Sequence, residues 1–274
     1  RWLSEGELHL TYQPGEKIGQ LLFHRPCDNF DDIVQQHQQD WIQLANQEVA
    51  RSMAKRGGGV KSISIRTLNI GKVLHIHIDT CDSMGANLIN QVCEWFKRHL
   101  TQYQLFANVA ILSNLNTQML FGAKVHLPCD EKLGRSIELL SQFAYEDPYR
   151  ACTHNKGIMN AIDGLMIATG NDWRGVSAAC HAYAAKDGQY RGLSSWKYNR
   201  GTLTGETSLP IQLGTVGGMT KLNPMASLCL TLMDIKSAHQ LAQITALVGL
   251  LQNLSALRSL SSEGIVKGHM KLHL

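Results

Sequence analysis

The chain has 274 residues, 44% of them apolar and 18% charged, with a formal net charge of +4 at pH 7. That composition supports a sizeable core in one large or two smaller domains, and it excludes disordered and collagen-like chains. The basic residues are scattered, so no nucleic-acid arm is expected, and no apolar run approaches the ~20 residues that span a bilayer.

Seven cysteines, an odd number with no CxxC pair, fit a reducing compartment, read here as the cytoplasm. No signal peptide is visible, and the chain opens on Arg1 rather than methionine, so a further N-terminal segment is expected.

Residues 1–16 are turn-rich, with Gln13-Pro14-Gly15, and read as an approach to a first strand, Lys17 to His24. Asp28-Asn29 can cap a long helix whose stripe of Ile33, Trp41, Leu44, Val49 and Met53 runs until Gly57-Gly58-Gly59. Val60 to Leu68 alternates and turns at Asn69-Ile70-Gly71 into Lys72 to Asp79; a helix from Ala86 to Gln104 and a strand from Ala107 to Ser113 follow. The order β-α-β-β-α-β predicts a ferredoxin-like split unit with an antiparallel sheet over residues 17–115.

After Asn114 the texture turns helical: Glu131 to Tyr145, Asn160 to Thr169, Arg174 to Ala185, a helix from Pro224 and another from Ser237 to Leu260. Two short strands fall within Ser194 to Leu213. The expected fold class is α+β: a mainly helical large domain with a few strands, residues 1–16 and 116–262, into which the small α/β unit is inserted.

His154 to Arg174 places Lys156 at the glycine-flanked start of an apolar helix and Asp172 just past the glycine that ends it. An ammonium facing a carboxylate suits stabilisation of a developing oxyanion; the bland reading is a surface lysine. Arg150 offers a bidentate fork for a carboxylate, and Asn160 is one turn from Lys156 on the same face. Asp82-Ser83-Met84-Gly85-Ala86-Asn87 sits at a strand-to-helix junction, which either binds an anion such as pyrophosphate or merely caps the helix.

Leu213-Gly214-Thr215-Val216-Gly217-Gly218 is neither GxGxxG nor a Walker loop, and reads as a tight turn or a place where backbone approaches a ligand. His269, beside Gly268, suits a proton donor near neutral pH. His269 and His273 lack an acidic third ligand beside them, so no metal site is expected; His75 and His77 share one strand face and read as structural.

Together these motifs resemble class II 3-hydroxy-3-methylglutaryl-coenzyme A (HMG-CoA) reductase. The matching segments are Asp82–Asn87, His154–Asn160, Thr169–Arg174, Gly214–Gly218 and Glu263–Met270, in family order. The Asn-Lys-Gly of the lysine motif and Thr220-Lys221-Leu222 look like class II rather than the eukaryotic class.

The resemblance implies reduction of the hydroxymethylglutaryl thioester to mevalonate, an isoprenoid precursor, with two hydrides from NADH or NADPH and release of coenzyme A, or the reverse. Lys156 would polarise the thioester carbonyl, Asp172 would hold that lysine, and His269 would protonate the departing thiolate. Arg150 and Asn160 would bind the hydroxymethylglutaryl group, with Ala256 and Leu260 near the substrate. Asp82, Met84, Gly85, Asn87, Asn114, Val216 and Gly217 would line the cofactor, residues 17–115 forming the small NAD(P)-binding domain. A homo-oligomer with active sites at the dimer interface is implied.

The family also uses a glutamate in a Glu-Glu-Pro-like motif that is absent from this chain, and residues 263–274 would begin a C-terminal flap that continues further in relatives. The resemblance therefore implies a stretch of a reductase lacking both ends, with activity reduced by the missing glutamate. Arg51, Lys55 and Arg56 form a basic cluster that either binds the 2′-phosphate of NADP or is a solvated helix end. The rival readings are a non-catalytic protein that kept the fold and another acyl-coenzyme A reductase.

Overall fold

The computed structural model describes residues 2–262. A 3-10 turn at Trp2–Glu5 leads into strands β1 (Glu7–Gln13) and β2 (Lys17–Phe23), helix α1 (Phe30–Glu48), the single turn α2 (Arg51–Ala54) and the hairpin β3 (Gly59–Leu68) and β4 (Gly71–Asp79). Then come α3 (Ala86–His99), a 3-10 turn at Leu100–Tyr103, β5 (Val109–Ser113), β6 (Leu120–Pro128), α4 (Glu131–Glu146), α5 (Pro148–Ala168) and α6 (Trp173–Ala184). A second hairpin, β7 (Ser194–Asn199) and β8 (Thr202–Leu209), precedes α7 (Gly218–Leu222), α8 (Pro224–Leu232) and α9 (Ala238–Ser261).

The described residues divide into two compact units, one running from Gly15 to Gln118 and the other formed by residues 2–14 and 119–262. In the smaller unit the four strands lie in the order β3-β4-β2-β5, every pair antiparallel. On β4 the side chains alternate: Leu74, Ile76 and Ile78 are fully buried in the core with Trp41 of α1 and Phe96 of α3. His75 and His77 point to the other face, where Gln20 and Ser64 bond their rings at 2.9 and 2.7 Å.

Gly19 lets α3 approach β2, since a Cβ there would lie 2.2 Å from Cys93 Sγ. The register pairs Lys17 with Ile78, Ile18 with Ser113 and Gly59 with Asp79. The start of β2, the ends of β4 and β5 and the start of β3 therefore meet at one end of the sheet.

The larger unit has its own antiparallel sheet, β1-β6-β8-β7. Helix α9 packs on β6 and β8 and on α5, whose Ile158 and Ile162 are fully buried. Burial of each such side chain is worth roughly 1.5–3 kcal/mol. Gly249 of α9 sets the distance between the two helices: a Cβ would come within 2.9 Å of Ile162 Cδ1 and 3.1 Å of Ile158 Cγ2.

Three sequence expectations are revised. Residues 7–13, expected as an approach, form the edge strand β1, and residues 120–128, in a stretch expected to be helical, form β6 inside the sheet. The helix expected to open near Lys156 starts at Pro148, so Lys156 sits in the middle of α5.

Candidate active site

Helix α5 begins where its sequence allows a clean start. Proline at the first position surrenders an amide that had no partner, and the Asp147 carboxylate accepts from the amides of Tyr149 (3.1 Å) and Arg150 (3.3 Å). Its inward face carries Ala151, His154, Asn155, Ile158, Met159, Ile162 and Met166, all buried. The opposite face exposes Cys152, Lys156, Asn160 and Gly164, so Lys156 and Asn160 share a ridge one turn apart, as expected. Arg150 is half-buried and lies six residues earlier, about 120° round the helix. Among the described residues Lys156 makes no hydrogen bond or ion pair.

Beneath that face a buried polar network fixes the rotation of α5. His154 Nε2 lies 2.8 Å from Ser194 Oγ, which donates to Asn253 Oδ1 at 2.9 Å, and Trp196 Nε1 donates to the same oxygen at 2.8 Å. Asn155 Nδ2 donates to the Arg191 carbonyl, and its Oδ1 accepts from the Leu193 amide, both at 2.8 Å. Burial pushes His154 down to about 3, so it serves this network as a neutral ring.

At the far end of α5, Gly170 turns the chain with φ +68°, and the Asn171 amide closes on the Met166 carbonyl at 2.8 Å. Asp172 then caps α6, accepting from the Gly175 amide at 3.0 Å. Lys156 lies twelve residues before the last residue of α5, about 18 Å of helix rise. No ion pair between Lys156 and Asp172 exists among the described residues, because the first sits mid-helix and the second beyond the helix end.

The structure does join two of the motifs: Asn171 Oδ1 accepts from the Gly214 amide at 2.8 Å, and Thr220 Oγ1 donates to the Thr169 carbonyl at 3.5 Å. The glycine-rich run is thereby tied to the Thr169–Asp172 turn, with Val216 half-exposed and Gly217 at φ +80°. Ala256 and Leu260 are half-buried on the last turns of α9, and His269 lies outside the described residues.

In the smaller unit the junction between β4 and α3 folds as a tight loop. Asp79 Oδ1 accepts from the Cys81 amide at 2.8 Å, and Ser83 donates its amide to the Thr80 carbonyl at 3.2 Å. Gly85 caps α3 at φ +81°, a conformation and a space that only glycine fills, since a Cβ would lie 2.4 Å from Thr80 Cγ2. Asn87 is exposed in the first turn of α3, and Asn114 is exposed just past β5, at the same end of the sheet as Asp82, Met84 and Gly85. A glycine-opened helix start with outward amides is the donor set a pyrophosphate needs, so these residues fit a dinucleotide.

Sequence reasoning passed over the residue that braces this loop. Lys17, 6% exposed, donates to Thr80 Oγ1 (2.7 Å) and to the carbonyls of Ser83 (2.7 Å) and Met84 (2.9 Å). Burial lowers it to about 8 against the opposing pull of Asp79, Cys81 and Asp82. The one signal in the sequence was a lysine opening a strand whose other residues, Gln20 apart, are apolar or glycine.

A sequence profile described as hydroxymethylglutaryl-coenzyme A reductase matches residues 4–274. The chain is 41% identical over 244 residues to 3-hydroxy-3-methylglutaryl-coenzyme A reductase of Archaeoglobus fulgidus, covering 85% of this chain and 55% of that protein. It is 37% identical over 250 residues to the probable reductase of Borreliella burgdorferi, covering 86% and 57%. It thus spans about half the length of the curated relatives it matches.

Among solved structures, the class II enzyme of Streptococcus pneumoniae bound to NADPH superposes with a TM-score of 0.88 at 38% identity, covering 93% of this chain and 73% of that one. A second structure of the Streptococcus pneumoniae reductase gives 0.89 at 38% identity over 97% of this chain and 67% of that one. Profile, relatives and superposition agree, and the chain belongs to the hydroxymethylglutaryl-coenzyme A reductase family, class II.

Proposed function

We propose that the protein reduces 3-hydroxy-3-methylglutaryl-CoA to mevalonate and coenzyme A, or runs the reverse reaction. NADH or NADPH, when bound, would supply the two hydrides that the four-electron reduction needs, one from each of two cofactor molecules. Lys156 donates from its Nζ to the thioester oxygen and stabilises the oxyanion that forms there. Asn160, one turn away, and Arg150 bind the hydroxymethylglutaryl carboxylate and hydroxyl, with Ala256 and Leu260 packing near the substrate. His269 protonates the leaving thiolate of coenzyme A. Asp82, Met84, Gly85, Asn87, Asn114, Val216 and Gly217 line the cofactor.

The observation that carries this reading is the face of α5, which presents Lys156 and Asn160 outward with no described partner for the lysine. Asp172 does not reach Lys156 of its own chain across three turns of helix, and in this reading a carboxylate from a second copy holds the lysine. A homo-oligomer with active sites at the dimer interface is accordingly part of the proposal. Tyr149 (88% exposed) and Ile167 (60%) on α5, together with open space beside Gly157 and Gly164, favour another copy covering this helix. All seven cysteines are free, which suits the cytoplasm, and no described helix is long and apolar enough to cross a membrane.

Oxidation of NAD(P)H by the protein at its complete natural length, followed at 340 nm, tests the reading. HMG-CoA should drive it and a simple acyl-CoA should not. Equal rates with both would favour a general acyl-CoA reductase, and no oxidation with either would overturn the proposal.

A further inference from the structure

Lys17 does more than fill the end of a strand. An ammonium has three protons to donate, and all three are used: one on Thr80 Oγ1 and one each on the carbonyls of Ser83 and Met84. Taking such a charge out of water costs several kcal/mol, which a full set of bonds offsets. The partners that offset it are the backbone of a single loop.

The consequence follows from the planarity of the peptide. In a trans peptide the carbonyl and the next amide point in opposite directions. With the Ser83 and Met84 carbonyls drawn in toward Lys17, the amides of Met84 and Gly85 are turned outward, and neither finds an acceptor among the described residues. Thr80 reinforces the arrangement by donating its own hydroxyl to the Ser83 carbonyl at 2.6 Å. The outward amides continue into the partnerless amides of the first turn of α3, with the lysine charge on the other side of the loop.

We propose that Lys17 is a positioning residue for NAD(P)H: it pulls the Ser83 and Met84 carbonyls inward so that the Met84 and Gly85 amides face the pyrophosphate of the bound dinucleotide. This rests on the reading of Asp82–Asn87 as the cofactor loop. Lys17 itself touches neither substrate nor cofactor, and its effect belongs to cofactor binding rather than to the chemical step.

The test compares wild type, Lys17→Met, Thr80→Val and Gly85→Val in the complete protein. NAD(P)H binding is read by quenching of tryptophan fluorescence, and KM and kcat by HMG-CoA-dependent oxidation. Lys17→Met should raise the Kd and KM for the cofactor ten-fold or more, with kcat at saturating cofactor and the KM for HMG-CoA within two-fold of wild type. Thr80→Val, which keeps the lysine but removes one grip on Ser83, should raise the cofactor KM about three-fold.

An unchanged cofactor KM in Lys17→Met, or a loss spread equally over kcat and both KM values, would overturn the assignment. If Lys17→Met does not reach a native Tm, an unchanged cofactor KM in Thr80→Val overturns it instead. Gly85→Val separates the two layers of the argument. If it binds NAD(P)H as wild type does, the loop is not the cofactor loop and the premise itself falls; if it loses binding while Lys17→Met keeps it, only the role of Lys17 falls.

Discussion

Asn171 Oδ1 accepts the amide of Gly214 at 2.8 Å and so joins the turn that carries Asp172 to the glycine-rich run that carries Val216 and Gly217. Two motifs 43 residues apart in the chain become one piece of backbone.

Breaking that joint should show in both stability and binding. Asn171→Ala leaves the amide of buried Gly214 without its acceptor, a loss of about 1–2 kcal/mol. The expected outcome is a Tm lower by a few degrees in calorimetry, with KM for cofactor or substrate raised several-fold. An unchanged Tm and unchanged KM values would show that the glycine-rich run keeps its place without Asn171.

Acid should weaken the fold through its buried histidines. Burial lowers His154 to about 3 and His75 to about 4, whereas the unfolded chain titrates both near 6.5. Between those limits the unfolded state binds more protons, so the stability from keeping these rings neutral is complete above pH 6.5 and is lost as pH falls toward 3. Each histidine contributes a slope of up to ~1.4 kcal/mol per pH unit in that window. Tm measured against pH for wild type and His154→Gln should diverge below pH 6, the variant falling less steeply; parallel curves would count against the buried neutral ring.

Much of this was legible in the sequence, and the gaps have physical causes. The smaller unit could be read because its strands alternate and its helices carry apolar stripes within one short stretch, although Asn29 opens α1 without a side-chain cap and α1 ends at Glu48 instead of running to Gly57. Strand β1 could not: it is an edge, exposed on both faces, and its partner β6 lies more than a hundred residues later, so neither burial alternation nor a turn marks it. The start of α5 was available in Asp147-Pro148, a capping carboxylate before a first-turn proline, and the glycines beside Lys156 drew attention from it. Lys17 could not be seen as a brace, because its three acceptors lie 63 to 67 residues away and only the register of β2 against β4 brings them within reach.

The basic cluster should set the choice between the two dinucleotides. Cys81 Sγ lies 3.8 Å from the Arg56 carbonyl, and Gly59 pairs with Asp79, so exposed Lys55 and Arg56 border the Thr80–Gly85 loop. A 2′-phosphate docked beside that loop would draw on Lys55 and on Arg56, whose guanidinium bonds the Ser52 carbonyl and hydroxyl at 3.2 and 3.3 Å and would turn from them to the phosphate. The double variant Lys55→Glu, Arg56→Glu should raise the KM for NADPH about ten-fold more than that for NADH. Equal changes would make the cluster a solvated helix end.

The most direct test of the whole account is kcat for HMG-CoA-dependent NAD(P)H oxidation by Lys156→Ala in the complete protein. Lys156 is exposed on α5 and bonded to no described residue, so its removal should leave Tm unchanged. Loss of an oxyanion donor typically costs 10²–10³-fold, and the account predicts a fall in kcat of about that size or more. A Lys156→Ala protein that turns over at the wild-type rate would contradict it.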